Sequence, residues 1–205
     1  MKLHHVQGSR SCRVRWLLEE LGLDYELETY SLGDGTLKGA AYRAKNPLGL
    51  VPTLEDGEVV LFESGAILQY LLERYGEGRL EPEVGTPERA RYLQWFHWGE
   101  ATMMPPLGDI MRQRFLLPEE RRSEAGLEDA RKRLSKCLGV LASEVEKGGF
   151  VAGSDFSAAD VMMAYGPHLA RMVGELPEEP RAVHEYLSRV GARPAYERAF
   201  GSGGF

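Results

Sequence analysis

With only two cysteines in 205 residues, Cys12 and Cys137, the chain has no disulfide framework and fits a reducing compartment. It has no apolar run of membrane-spanning length. Met1-Lys2-Leu3-His4-His5 enters a strand directly, without the apolar stretch of a secretory leader. A cytoplasmic protein with no membrane partner is expected. Basic residues are outnumbered, 25 Lys and Arg against 31 Asp and Glu, and they are scattered. The net charge of -6 therefore argues against nucleic acid, which needs a basic face. No G-x-G-x-x-G or P-loop is present, so a nucleotide cofactor is not indicated. His4 and His5 are adjacent on a strand and point to opposite faces, and His97, His168 and His184 lack metal-ligand spacing. No metal site is expected.

What the chain does have is an ordinary globular composition, 43% hydrophobic and 27% charged, at a length comfortable for two domains. Lys2 to Val6 alternates like a strand. After the break at Gly8-Ser9-Arg10-Ser11, Val14, Leu17, Leu18 and Leu21 recur at helical spacing, and Gly22 stands where a C-terminal glycine ends a helix. Tyr25 to Tyr30 reads as a second strand, parallel to the first through a helical crossover. A short helix is expected around Leu37 to Arg43. Pro52 to Glu55 and Val59 to Phe62 flank Asp56-Gly57, a hairpin signal, and a helix carrying Ile67, Leu68, Leu71, Leu72 and Tyr75 follows. Residues 1–78 therefore read as an α/β domain of order β-α-β-(α)-β-β-α.

Residues 79–87, rich in Pro, Gly and Glu, read as a linker. Beyond them strand signals vanish, and residues 88–205 are expected to be all-helical. One long helical region is interrupted at Pro105-Pro106, and a second starts at Pro118, with Leu127, Leu134, Leu138, Leu141 and Val145 along one seam. Ser157-Ala158-Ala159-Asp160 reads as a capping box with Phe156 placed to staple onto Val161. Residues 201–205 are expected to fray.

One constellation points to ligand chemistry. Val51-Pro52 at a strand entrance would expose a backbone N–H and C=O at a fixed angle if the proline is cis. Glu63-Ser64 opens a helix, where free N–H groups and the dipole favour a carboxylate. Together they suit a ligand with an extended backbone and a free α-amino-acid end.

Four motifs in order, Ser9-Arg10-Ser11-Cys12-Arg13 with the helix after it, Asn46-Pro47-Leu48-Gly49-Leu50-Val51-Pro52, Glu63-Ser64-Gly65-Ala66-Ile67, and Phe156-Ser157-Ala158-Ala159-Asp160, resemble the cytosolic glutathione transferase superfamily. The first resembles its bacterial and fungal branch beginning S-R-S-x-R. The resemblance spans almost the whole chain. It implies a thioredoxin-like N-terminal domain, an all-α C-terminal domain, glutathione as co-substrate, and a homodimer.

It also implies roles. Ser9 is expected to stabilise the glutathione thiolate, with Ser11 as the alternative, since Ser11 equally suits a helix N-cap. Arg10 stands where Cys-type classes carry a catalytic cysteine, and is expected among the glutathione-binding residues. Val51 and Pro52 would hold the cysteinyl backbone, and Glu63 and Ser64 the γ-glutamyl end. Leu50 departs from the Lys or Gln that reaches the glycyl carboxylate in many relatives, so Lys38, Arg43 or Lys45 would have to replace it. Met103, Met104, Phe115 and Tyr165 are candidates for an apolar electrophile pocket between the domains, each equally suited to core packing. Trp95, Phe96 and Trp98 suit helix packing or a dimer surface. Cys12 reads first as a buried small hydrophobe and second as a redox thiol. The expected activity is conjugation to a small electrophile or reduction of a hydroperoxide. The alternatives are a non-enzymatic binding protein and a Cys12-based disulfide reductase.

Overall fold

The computed structural model describes residues 1–146 and 149–201. The chain divides into two compact units, one of residues up to Leu80 together with the segment from Ala192, the other of Glu81–Gly191.

The first unit holds strands β1 (Lys2–His5), β2 (Glu26–Thr29), β3 (Thr53–Asp56) and β4 (Val59–Phe62), in the sheet order β2-β1-β3-β4. β1 pairs parallel with β2 and antiparallel with β3, with Leu3 opposite Leu27 on one side and Leu54 on the other. β3 and β4 form a hairpin, and Gly57 takes the positive φ that its two-residue turn requires. Helix α1 (Ser11–Leu21) buries Val14, Leu17, Leu18 and Leu21, each contributing about 1.5–3 kcal/mol of transfer free energy. It ends at Gly22 in the left-handed conformation, whose amide donates to the Glu19 and Leu18 carbonyls. A 3-10 turn at Thr36–Lys38 leads into the single-turn α2 (Ala40–Arg43). α3 (Ser64–Tyr75) buries Ile67, Leu68, Leu71 and Leu72. The Arg79 guanidinium donates to the carbonyls of Leu21, Tyr75 and Gly76, fixing the chain as it leaves α3.

The second unit is helical: α4 (Pro87–Ala101), α5 (Met104–Met111), α6 (Glu124–Val145), α7 (Ala158–Met172) and α8 (Arg181–Gly191). The interruption falls where Pro105-Pro106 predicts it, with both prolines in the first turn of α5, where a missing N–H costs nothing. The π-helical turn at Arg112–Leu116 follows α5 directly. The next long helix starts later than Pro118. Pro118 and Arg122 are extended around a 3-10 turn, and Ser123, whose hydroxyl accepts from Gly126 N–H, is the cap of α6. α4 packs closely on α7 at Gly99, where a Cβ would come within 2.8 Å of the Met162 carbonyl oxygen. The capping box of α7 is formed, with the Asp160 carboxylate accepting the Ser157 amide at 2.9 Å. Phe156 meets Phe150 edge-on at 5.6 Å.

One segment differs from the sequence-based division. α9 (Pro194–Phe200) belongs with the α/β unit rather than the helical one. It packs on α1, where Trp16 meets Tyr196 edge-on at 4.8 Å, and Arg193 clasps Glu20 with two bonds of 2.6 and 2.7 Å. The expected fray covers residues 201–205, of which 202–205 lie outside the described residues.

Candidate functional site

The sheet register gathers three loops at one end. The loop carrying Ser9 follows the C-terminal end of β1, Val51-Pro52 leads into β3, which runs antiparallel to β1, and Glu63-Ser64 follows the end of β4. Thr53 is paired with both His4 and Phe62, so the three loops emerge side by side.

The Val51–Pro52 bond is cis. Its approach is built from buried polar groups. Asn46 Nδ2 donates to the Leu50 carbonyl at 2.8 Å and Tyr42 O–H donates to it at 2.6 Å, while Asn46 Oδ1 accepts from Leu48 N–H. Gly49 has φ +62, and a Cβ there would press into the Leu37 carbonyl oxygen. With Leu50 held by its carbonyl, the next peptide is presented at the surface. Among the described residues none pairs with the Val51 amide or carbonyl.

Glu63 is exposed and has φ 77, one of three non-glycine residues with positive φ among the described residues. Such a backbone costs of order 1–3 kcal/mol, and persists where the surroundings demand it. Here it turns the chain from β4 into α3. The Glu63 carbonyl accepts from Ile67 N–H, so the earlier amides of the helix face outward. Ser64 is buried, its hydroxyl 3.4 Å from Nη1 of the fully buried Arg13.

Ser9 and Ser11 occupy different surroundings. The Ser9 hydroxyl is half-exposed, 2.7 Å from the Val6 carbonyl and 2.7 Å from Ser11 Oγ. Ser11 is fully buried, with its Oγ 2.8 Å from His5 Nδ1 and 3.2 Å from the Val6 amide. Arg10 is half-exposed at the N-cap of α1, beside Ser9. Ser9 is therefore open to a ligand without displacement of the core, whereas Ser11 is not.

Cys12 has no exposed surface, and burial pushes its thiol up to about 11. At pH 7 the thiolate fraction is then of order one in ten thousand, which leaves a Cys12-based redox mechanism without its nucleophile. Cys137 is a packed residue of α6, its Sγ 3.7 Å from the Thr102 carbonyl. Lys38 is brought to the site: its ammonium donates to the carbonyls of Leu48 and Gly49, both at 3.1 Å, immediately before the exposed Leu50. Lys45 is engaged elsewhere, with Glu55 at 2.6 Å.

Three of the four pocket candidates lie inside the helical unit. Met103 is fully buried, and a Cβ at Gly166 would overlap its side chain; Met104 and Tyr165 are also buried. These positions carry core packing, because soft and aromatic side chains at helical spacing serve an interior as well as a pocket. Phe115, 52% exposed on the π-helical turn, is the one that faces solvent. Trp95 and Phe96 are buried in α4. Among the described residues no group of three or more His, Cys, Asp or Glu is placed to hold a metal ion, and no helix is long and apolar enough to cross a membrane.

The sequence model of the glutathione S-transferase N-terminal domain matches residues 1–73. Glutathione S-transferase 3 of Schizosaccharomyces pombe is 32% identical, over 94% of this chain and 84% of its own length. The chain belongs to the glutathione S-transferase family. Among solved structures, a glutathione transferase from Methylococcus capsulatus superposes with a TM-score of 0.86 at 32% identity, covering 99% of this chain and 98% of that one. A theta class glutathione S-transferase from Xanthomonas axonopodis pv. citri, solved with glutathione bound, gives a TM-score of 0.81 at 29% identity, covering 98% and 97%. The family places a thioredoxin-like domain before a helical one, as the two units are built here.

The residues absent from the sequence-based site are His5 and Arg13. Polar residues flanking a strand–helix loop carry no pattern that separates support of a site from surface.

Proposed function

We infer that this glutathione transferase activates the thiol of glutathione at Ser9, for transfer to a small apolar electrophile. The observation that carries the reading is the convergence of the Ser9 hydroxyl, the unpaired Val51 peptide and the outward amides of α3 at one end of the sheet. An antiparallel pair of hydrogen bonds to Val51 suits the cysteinyl residue. The α3 N-terminus with Ser64 suits the γ-glutamyl carboxylate, and Glu63 its ammonium group. Lys38, whose ammonium contacts the turn, takes the glycyl carboxylate, in place of the side chain that Leu50 cannot provide.

A free thiol ionises near 8.5, so only a few per cent is thiolate at pH 7. Lowering that value by ~2 units requires about 3 kcal/mol of preferential stabilisation of the anion. One charge-assisted hydrogen bond from Ser9 contributes roughly 1.5–3 kcal/mol, and the positive end of α1 up to about 1 kcal/mol more. These magnitudes suffice without a second hydroxyl. Phe115 supports the apolar class of the second substrate. Leu48, Leu50, Val60 and Phe62, exposed on the first unit, support a homodimer. A cytoplasmic location accords with two free cysteines.

The test is ultraviolet titration of the bound thiolate in wild type, Ser9→Ala and Ser11→Ala. A thiol pKa well below the free value in wild type, returned towards it by Ser9→Ala, is the expected result. Bound glutathione with an unshifted thiol in wild type would refute thiol activation.

A further inference from the structure

His4 alternates with Leu3 along β1, so it shares its face of the sheet with Lys2 and with its register partners Glu28 and Thr53. The ring is buried, stacked on Tyr30 with centroids 5.7 Å apart and edge-on to Tyr42 at 5.5 Å. Its Nε2 lies 2.6 Å from Glu55 Oε1, and its Nδ1 lies 2.8 Å from the Tyr30 hydroxyl. That hydroxyl donates to Glu28 Oε1 at 2.8 Å, while Lys45 donates to Glu55 Oε1 at 2.6 Å and Lys2 to Glu28 Oε2 at 3.3 Å. Tyr30 thus has one proton and two neighbours that could take it. Its hydrogen bond holds the Glu28 carboxyl below the usual carboxylate range, and Lys45 does the same for Glu55, so both are acceptors only at neutral pH. Burial, and then Glu28, raise the Tyr30 phenol well above its ordinary value, so it keeps its proton. With that proton on Glu28, Tyr30 accepts from His4 Nδ1, and Glu55 accepts from Nε2. The three bonds are made together only when both ring nitrogens carry a proton. A ring with one proton keeps Glu55 and leaves Nδ1 bare. Tyr30 must then abandon Glu28, or face Nδ1 lone pair to lone pair.

The same two tyrosines carry the turn before β3. Tyr42 lies in a buried cluster with Val6 and Leu37, against which Tyr30 and Val51 pack, and its ring meets Tyr30 edge-on at 5.3 Å. Its hydroxyl donates to the Leu50 carbonyl and accepts from the Thr53 hydroxyl at 2.8 Å. Resting on the reading that the Val51 peptide holds the cysteinyl residue of glutathione, we propose that His4 is a positioning residue: protonated on both nitrogens, it locks Tyr30 and Tyr42 in the arrangement that seats the turn, and glutathione binding weakens as the ring loses its second proton. The groups around the ring are Lys2 of its own strand, Glu28 and Tyr30 of β2 and its end, Glu55 of β3, and Tyr42 and Lys45 of α2 and the residues after it. The lysines bind the carboxylates rather than the ring. Both carboxylates are already ionised and burial keeps the Tyr42 phenol protonated, as it does Tyr30. Histidine is the side-chain type among them that changes charge near neutral pH.

The probe is S-methylglutathione, whose sulfur cannot ionise, so thiol activation at Ser9 does not enter. Its Kd is measured by isothermal titration from pH 6 to pH 9 on wild type and His4→Gln, with ¹⁵N-histidine spectra following the His4 ring. His4→Gln keeps an N–H for Glu55 and cannot titrate. The ratio of wild-type to His4→Gln Kd also cancels the titration of the ligand's own amino group. That ratio is expected to rise about three- to tenfold with pH, in step with His4 deprotonation, and bound probe should raise the His4 midpoint by about half to one unit, because the coupling is reciprocal. A ratio independent of pH, or a ring with one bare nitrogen at pH 6, overturns the proposal. Tyr30→Phe removes the acceptor of Nδ1, so the His4 midpoint should fall and the Kd profile should move with it. It carries the test should His4→Gln not fold, and a profile that stays in place refutes the coupling. Tyr42→Phe and Asn46→Ala each remove a donor to the Leu50 carbonyl and are expected to weaken binding about three- to tenfold at every pH. If neither does, the Val51 reading itself fails. If they do and the His4→Gln ratio stays flat, the His4 coupling alone fails.

Discussion

The Tyr186 hydroxyl donates to Oδ1 of Asp160 at 3.1 Å, inside the helical unit where both side chains are buried. The same carboxylate accepts the amides of Val151 and Ser157, so Asp160 joins the start of α7 to the segment before it and to α8. Burial outweighs these bonds and pushes the Asp160 carboxyl up to about 6. A folded-state value above the unfolded one means that the folded protein holds the proton more tightly. That stabilisation is complete below about pH 4 and is lost as pH rises through about 6, and two units correspond to about 3 kcal/mol. Asp160→Asn does not titrate and turns an NH2 towards donors, so it is expected to destabilise at every pH. Urea unfolding should show the gap between wild type and Asp160→Asn narrowing by about 3 kcal/mol between pH 4 and pH 7.5. A gap independent of pH would show that the carboxyl is not raised.

Gly49 answers two demands at once, a positive φ and the absence of a Cβ against the Leu37 carbonyl. Gly49→Ala is expected to cost about 1–3 kcal/mol of stability. Because the turn presents Val51, the substitution should raise the KM for glutathione several-fold with less effect on kcat. Calorimetric unfolding and initial rates check the two parts, and an unchanged KM would mean that the turn does not set the Val51 peptide.

Much of this architecture is written locally. The α1 seam, the Asp56-Gly57 hairpin, the Ser157-to-Asp160 box and the cis Val51–Pro52 turn each rest on residues within a few positions of one another, where periodicity and turn chemistry act. What covers a face is a different matter. Helical spacing marks Met103 as an apolar position but does not say that α7 closes over it at Gly166. Nothing near Arg193 announces that its partner is Glu20, or that α9 rejoins the first unit. The bond from the Gln7 amide to the Phe200 carbonyl is invisible for the same reason, since it spans nearly the whole sequence.

Lys38 donates to two carbonyls of the turn and is exposed, so its ammonium keeps one N–H for a ligand. Lys38→Met is expected to weaken glutathione binding about three- to tenfold, with the difference shrinking as salt is raised. Leu50→Lys should strengthen binding by a similar factor. Isothermal titration at two ionic strengths checks both, and a Lys38→Met protein that binds like wild type would assign the glycyl carboxylate elsewhere.

Cys12 separates two chemistries that share this fold. Its thiol is raised by burial, and α1 packs it among core residues, so Cys12→Ala removes a small apolar volume and no reactive group. The expected outcome is a loss of about 1–2 kcal/mol in stability with kcat/KM for conjugation within twofold of wild type. A thiol reagent such as dithionitrobenzoate should leave Cys12 unmodified in the native protein and modify it on unfolding. Rapid native labelling, or loss of turnover in Cys12→Ala, would return the redox mechanism to consideration, because only an accessible thiolate reacts at such rates.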